Sequence, residues 1–127
     1  MSKVDIVAFL VLFTLLVSCR TQDRQVVELP FAKDLIPEGI AIDGYTKKLY
    51  LNSLKKSMVV TSTLDGKDAS IFLDSKAHVY LSGFGMTVKG DTLYALGNSL
   101  ESTNNKSILL LLQISTKKLI NSYVMER

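Results

Sequence analysis

Five side chains in this 127-residue chain have types and settings that bear on chemistry: Cys19, Glu38, Asn52, His78 and Asn98. Cys19 is the only cysteine, so no intrachain disulfide and no cysteine-based metal site can form. Glu38 brings carboxylate oxygens, which suit hard cations, but one ligand makes no site, and a solvated loop acid or a turn-closing acceptor explains it as well. His78 is the single imidazole and could serve as a ligand, yet a lone histidine in a polar loop is commonly just exposed. Asn52 and Asn98 fall at strand ends, where an amide either meets a ligand or satisfies turn backbone. No nucleophile elbow surrounds any serine, so a hydrolytic triad around His78 is not indicated. Gly83 and Gly85 precede a strand rather than a helix, which excludes a phosphate-binding glycine loop.

The elements that must position these residues come from an internal repeat. Gly39-Ile40-Ala41-Ile42-Asp43 matches Gly85-Met86-Thr87-Val88-Lys89, and Leu49-Tyr50-Leu51-Asn52-Ser53 matches Leu93-Tyr94-Ala95-Leu96-Gly97. Ser57-Met58-Val59-Val60 matches Ser107-Ile108-Leu109-Leu110, so the offsets are 46 (39 to 85), 44 (49 to 93) and 50 (57 to 107) residues. A period of about 40–50 residues is that of propeller blades. Within each unit, short runs rich in Val, Ile, Leu and Tyr are separated by turn pairs such as Asp43-Gly44, Asp65-Gly66 and Gly90-Asp91. The pattern predicts strands near 39–43, 48–53, 58–64 and 69–73, then 85–89, 92–97, 107–114 and 119–124. Four antiparallel strands make one blade. The expected fold is therefore all-β: an incomplete β-propeller of about two four-stranded blades, at 37–74 and 83–125, following an N-terminal signal helix. Glu38, Asn52, His78 and Asn98 are all expected at one rim, formed by loops 54–56, 74–84 and 98–106. Val26 to Leu29 reads as a further short strand without a partner in these units.

The leader is read separately. Residues 6–17 are apolar apart from Thr14, about 12 residues, whereas a membrane-spanning helix needs about 20. Leu16-Val17-Ser18-Cys19 closes the run and resembles the lipobox of bacterial lipoproteins. That resemblance implies a signal peptide at 1–18, a lipidated Cys19 tethering the chain to a membrane, a spacer with a short strand at 19–30, and the two blades in 31–127, outside the cytoplasm in a bacterial cell envelope. The alternative is a short uncleaved anchor. The formal charge is +3, with the basic residues in scattered pairs instead of a stripe, which argues against a nucleic-acid partner.

Pro37-Glu38-Gly39-Ile40-Ala41-Ile42-Asp43 with Lys48-Leu49-Tyr50-Leu51-Asn52-Ser53 resembles the opening blade of the SMP-30/gluconolactonase family of six-bladed propellers. Leu81-Ser82-Gly83-Phe84-Gly85-Met86-Thr87-Val88 with Thr92-Leu93-Tyr94-Ala95-Leu96 is similar to a second blade of that family, over roughly residues 36–124. The resemblance implies a divalent metal, Ca or Zn, polarising a lactone carbonyl, with Glu38 at the family's metal-binding glutamate. Family enzymes tend to carry Glu-Gly-Pro-x-Trp where this chain has Glu38-Gly39-Ile40-Ala41-Ile42, and their other ligands come from blades not found here. The expectation is a truncated lactone-hydrolase relative, inactive alone, with Asn52, His78 and Asn98 as ligand-binding candidates for a lactone or sugar. The alternative is a non-enzymatic, NHL-like binding or scaffold module that completes its ring by self-association or with a partner chain.

Overall fold

A computed structural model describes residues 26, 33–75, 77–100 and 105–126. Eight strands follow in chain order: β1 Ile40–Asp43, β2 Lys48–Asn52, β3 Val59–Thr63, β4 Ser70–Leu73, β5 Ser82–Lys89, β6 Thr92–Asn98, β7 Lys106–Gln113 and β8 Leu119–Glu126. They form two four-stranded antiparallel meanders in the orders β1-β2-β3-β4 and β5-β6-β7-β8. These are two adjacent blades of an incomplete β-propeller, with the innermost strands β1 and β5 packed on one another. The leader, Cys19 and all but Val26 of the short strand read at 26–29 lie outside the described residues.

Local chemistry explains the strand limits. The β1–β2 hairpin turns where the Asp43 carboxylate accepts from the Tyr45 amide at 2.9 Å and from the Thr46 hydroxyl at 2.5 Å, a self-closing aspartate turn. Gly90 takes a left-handed φ of 57° in the tighter β5–β6 hairpin, a conformation that costs glycine little. β5 starts three residues before the expected 85, because the pairing register shifts between Gly83 and Met86 and lets Ser82 and Gly83 join β6 opposite Asn98 and Gly97. Gly83, which reads as loop, pairs within the strand, and the β-bulge falls at Phe84 and Gly85. A single tight turn at Ala77–Val79 breaks the connection between the blades.

The core lies between the sheets. Ala41, Tyr50, Val59, Phe72 and Leu73 of the first meet Leu93, Ala95, Ile108, Leu110 and Leu112 of the second, with Tyr80 of the connecting loop enclosed between them. Burying one large aliphatic side chain contributes about 1.5–3 kcal/mol, so this shared cluster is what holds two small sheets together. Tyr50 and Phe72 meet edge to face, ring centroids 5.1 Å apart. Lys117, from the β7–β8 turn, reaches back over the Phe72 ring, its ammonium 5.9 Å from the centroid.

Candidate functional site

The rim where β2 and β6 end is built on a polar staple. Asn52 has no solvent exposure. Its Oδ1 accepts from the Gly39 amide at 2.8 Å and its Nδ2 donates to the Phe84 carbonyl, so one amide ties the start of the first blade to the innermost strand of the second. The Gly83 amide donates to the Ser53 carbonyl at 3.0 Å beside it. Glycine is required at both contact points. A Cβ at Gly83 would lie 2.6 Å from the Asn52 Cβ, and one at Gly39 would fall inside the Phe84 carbonyl oxygen.

Beyond the staple, residues that follow β2, β4 and β6 line an open cavity of about 620 Å³. Tyr80, Leu81, Ile108 and Val124 supply its apolar wall, and Ser57, Ser82, Asn98 and Lys106 its polar one. Tyr80 is held by a bond from its hydroxyl to the Leu96 carbonyl at 3.1 Å, and burial pushes its phenol up to about 12. It therefore stays a neutral donor and wall rather than a base. The Asn98 Oδ1 accepts from the Ser107 hydroxyl at 2.6 Å, which fixes the amide plane at the cavity edge. Lys106 pairs with Glu126 at 2.8 Å, and this exposed contact holds the glutamate carboxyl below its usual range.

Left-handed backbone occurs at two places around the wall, at Ser57 with φ 49° and at the His78–Val79 pair. His78 and Val79 both have φ of 54°, and Val79 is 74% exposed at the cavity. A β-branched residue in the left-handed region is costly, and such residues gather at binding sites. His78 itself points to solvent and is not part of the lining.

The structure thus brings Asn98 to the cavity, sets Asn52 beneath the same rim as a buried staple, and leaves Glu38 exposed beside Gly39. Among the described residues no three His, Cys, Asp or Glu side chains stand together as a metal site, so the donors around Glu38 do not by themselves fit the divalent metal that the lactonase resemblance implies. Sequence reasoning missed Tyr80, Ser57 and Lys106. Their positions flanking the rim loops were the available signal, but nothing in their types singled them out.

At the opposite rim, the Asp91 carboxylate accepts from the Ser115 amide at 2.8 Å and from its hydroxyl at 2.6 Å, joining the β5–β6 and β7–β8 turns. The Ser115 hydroxyl lowers the Asp91 carboxyl, as the Thr46 hydroxyl lowers that of Asp43 against the opposing effect of burial. Both carboxylates are thereby spent on turn backbone.

No protein-family model matches the chain, and no curated protein does. Among solved structures it is similar to a chain of a nidogen/laminin complex, at 14% identity and a TM-score of 0.34, over 72% of this chain and 48% of that one. The chain thus spans about half the length of that solved chain.

Proposed function

We propose that the chain is an envelope-tethered propeller segment that binds a small sugar- or lactone-like ligand at its rim and does not turn it over alone. The observation that carries this reading is the rim cavity. Its volume of about 620 Å³ lies in the range of small-molecule sites, about 300–1,000 Å³, and its apolar wall faces a few fixed polar groups. Hydrolysis of the gluconolactonase type needs Glu38 joined by further ligands, and those would have to come from other blades.

The test is calorimetric titration of a soluble form beginning at Arg20 with aldonolactones and their sugars. Binding that falls at least tenfold in Asn98→Leu supports the reading, a tenfold change being about 1.4 kcal/mol. Unchanged affinity in that variant, or no heat with any member of the series, overturns it. Turnover that depends on a divalent ion and disappears in Glu38→Gln would replace it with the hydrolase reading. The tether is proposed to be Cys19, and mass spectrometry of the N-terminal peptide should show it acylated; membrane-bound protein beginning at an unmodified Met1 would remove that part.

A further inference from the structure

Four hairpin turns form the rim opposite the cavity, and they meet one backbone requirement in two ways. The β3–β4 and β5–β6 turns place glycine in the left-handed region, Gly66 at φ 77° and Gly90 at φ 57°. The β1–β2 and β7–β8 turns place lysine there, Lys47 and Lys117, each at φ 57°. Both lysines belong to the same tetrapeptide, Thr46-Lys47-Lys48-Leu49 and Thr116-Lys117-Lys118-Leu119. In each, the threonine hydroxyl donates three residues back, to the Asp43 carboxylate at 2.5 Å and to the Gln113 side-chain oxygen at 2.8 Å. The two turns hold different places in the blade plan, so their identity is not inherited from the repeat. Glycine is the less strained residue at such a position, and what lysine adds is charge.

Lysine pairs that are scattered in the sequence meet at this rim. The β1–β2, β5–β6 and β7–β8 turns line one open hollow of about 750 Å³, with Ile42, Val88 and Ile114 as its apolar part. Lys47, Lys48, Lys89, Lys117 and Lys118 are exposed on or beside these turns. The carboxylates among them, Asp43 and Asp91, are taken up by turn donors. Among the described residues Lys47, Lys48, Lys89 and Lys118 have no ion-pair partner, whereas Lys117 lies over Phe72. Asp65 and Asp68 stand on the β3–β4 turn with Lys67. Tyr45, two residues before Lys47, is 96% exposed. Lysines around an exposed aromatic ring suit an anionic lipid surface, the ring at the interface and the ammonium groups on the phosphates.

We propose that this rim docks on an anionic lipid surface. β2 runs from Lys48 at the basic rim to Asn52 beneath the cavity, so docking leaves the cavity facing solution. The choice of lipid rests on the envelope tether of the proposed function and not on its ligand. Extended, the 13 residues from Arg20 to Ala32 reach at most about 45 Å, and the eight residues of β5 span about 27 Å. Cys19 in a bilayer can therefore lie under the basic rim although the chain enters the blades at the other, where the Leu54 amide donates to the Ile36 carbonyl.

The experiment places the full chain on phosphatidylcholine vesicles with and without phosphatidylglycerol, with brominated lipid as the quencher. The chain has no tryptophan, so Tyr45→Trp puts a single reporter at the basic rim and Leu100→Trp one at the cavity rim. Quenching is expected for Tyr45→Trp in the anionic vesicles alone and for Leu100→Trp in neither. Each lysine near an anionic leaflet contributes about a fivefold factor, so adding Lys47→Asn, Lys48→Gln and Lys118→Gln should cut the docked population about tenfold or more. Asparagine at 47 keeps the left-handed turn, and circular dichroism checks folding. No quenching in anionic vesicles, equal quenching in neutral ones, quenching of Leu100→Trp, or indifference to the lysine substitutions overturns the proposal. Flotation with neutral vesicles reads the tether separately. Chain that floats with them but is not quenched in anionic vesicles overturns the docking alone; chain that neutral vesicles do not retain, yet anionic ones quench, upholds the docking and removes the tether. Displacement by duplex DNA of matched charge would assign the lysines to polyanions at large and overturn the choice of lipid.

Discussion

The two blades share a strand plan but bury different chemistry. Among the described residues every buried polar side chain, Asp43, Asn52, Ser53, Thr61 and Ser62, belongs to the first blade, whereas the buried side chains of the second are Leu93, Ala95, Ile108, Leu110 and Leu112. Aliphatic packing is strong but not directional, and many registers of one sheet on another satisfy it. A buried amide with fixed partners satisfies only one. Both blades supply the adhesion, since Ala41, Tyr50, Val59, Phe72 and Leu73 of the first meet the aliphatic residues of the second, and the difference teaches that the first adds the docking geometry.

The sharpest way to break this division is Gly39→Ala. The added Cβ meets the Phe84 backbone, which cannot swing aside as a side chain could. The cost should exceed about 4 kcal/mol, the range of exceptional substitutions, and abolish cooperative thermal unfolding of the pair. A variant that melts like the wild type would show that the blades are not docked through this point.

Next come two substitutions that separate adhesion from geometry. Leu110→Ala empties the fully buried centre of the second blade and should cost about 3 kcal/mol in denaturant unfolding, with tyrosine near-ultraviolet dichroism retained. Asn52→Leu gives the first blade its counterpart residue and strands the Gly39 amide and the Phe84 carbonyl, for about 2 kcal/mol. Here the near-ultraviolet signal should fall, because Tyr50 and Tyr80 lose their fixed surroundings between the blades. If both variants change the spectrum alike, the buried amide sets no geometry beyond what the shared apolar core sets.

The connection between blades offers a smaller effect of opposite sign. Val79 sits at φ 54°, and Val79→Gly removes left-handed strain of about 1–2 kcal/mol against the entropy that glycine adds to the unfolded chain. A net gain of about 1 kcal/mol in denaturant unfolding is expected. A loss would mean that the valine side chain packs the cavity wall more firmly than its 74% exposure indicates.

What was legible in the sequence follows the same division. Strands were readable because Ile-Ala-Ile-Asp and Leu-Tyr-Leu-Asn alternate with glycine-marked turns, and the two sheets of four are the expected incomplete propeller. The early start of β5 was not readable, since Gly83 and Gly85 signal a loop as readily as a bulge. The rim loops could be grouped from the repeat, which set Asn98 at the rim, but the cavity there could not be read. The staple could not, because Asn52 and Phe84 stand 32 residues apart and an asparagine at a strand end has many local partners to choose from. Tyr80 likewise lies in a stretch without period, where burial depends on the neighbouring blade.

The least disruptive test concerns the polar groups at the opposite rim. The Thr46 hydroxyl, with the Tyr45 and Thr46 amides, lowers the Asp43 carboxyl below its unfolded value near about 3.9. Between the folded and unfolded values the unfolded chain binds more protons, so stability rises with pH there. The contribution of Asp43 is thus complete above the unfolded value and is lost as pH falls through the folded one. Asp43→Asn keeps an acceptor for the turn and should cost about 0.5 kcal/mol at neutral pH, near the low end for one hydrogen bond. Its acid limb should be flatter, so that the variant and wild-type stability curves converge only once pH falls below the lowered folded value. Asp91→Asn is the counterpart in the second blade, where the lowered carboxyl is exposed and its turn-joining bonds are open to water. It should flatten the acid limb less. Equal flattening by the two would show that the Asp43 turn does no more than the exposed Asp91 turn despite its setting, and the contrast between the buried polar groups of the first blade and the aliphatic second would then be one of composition and not of energy.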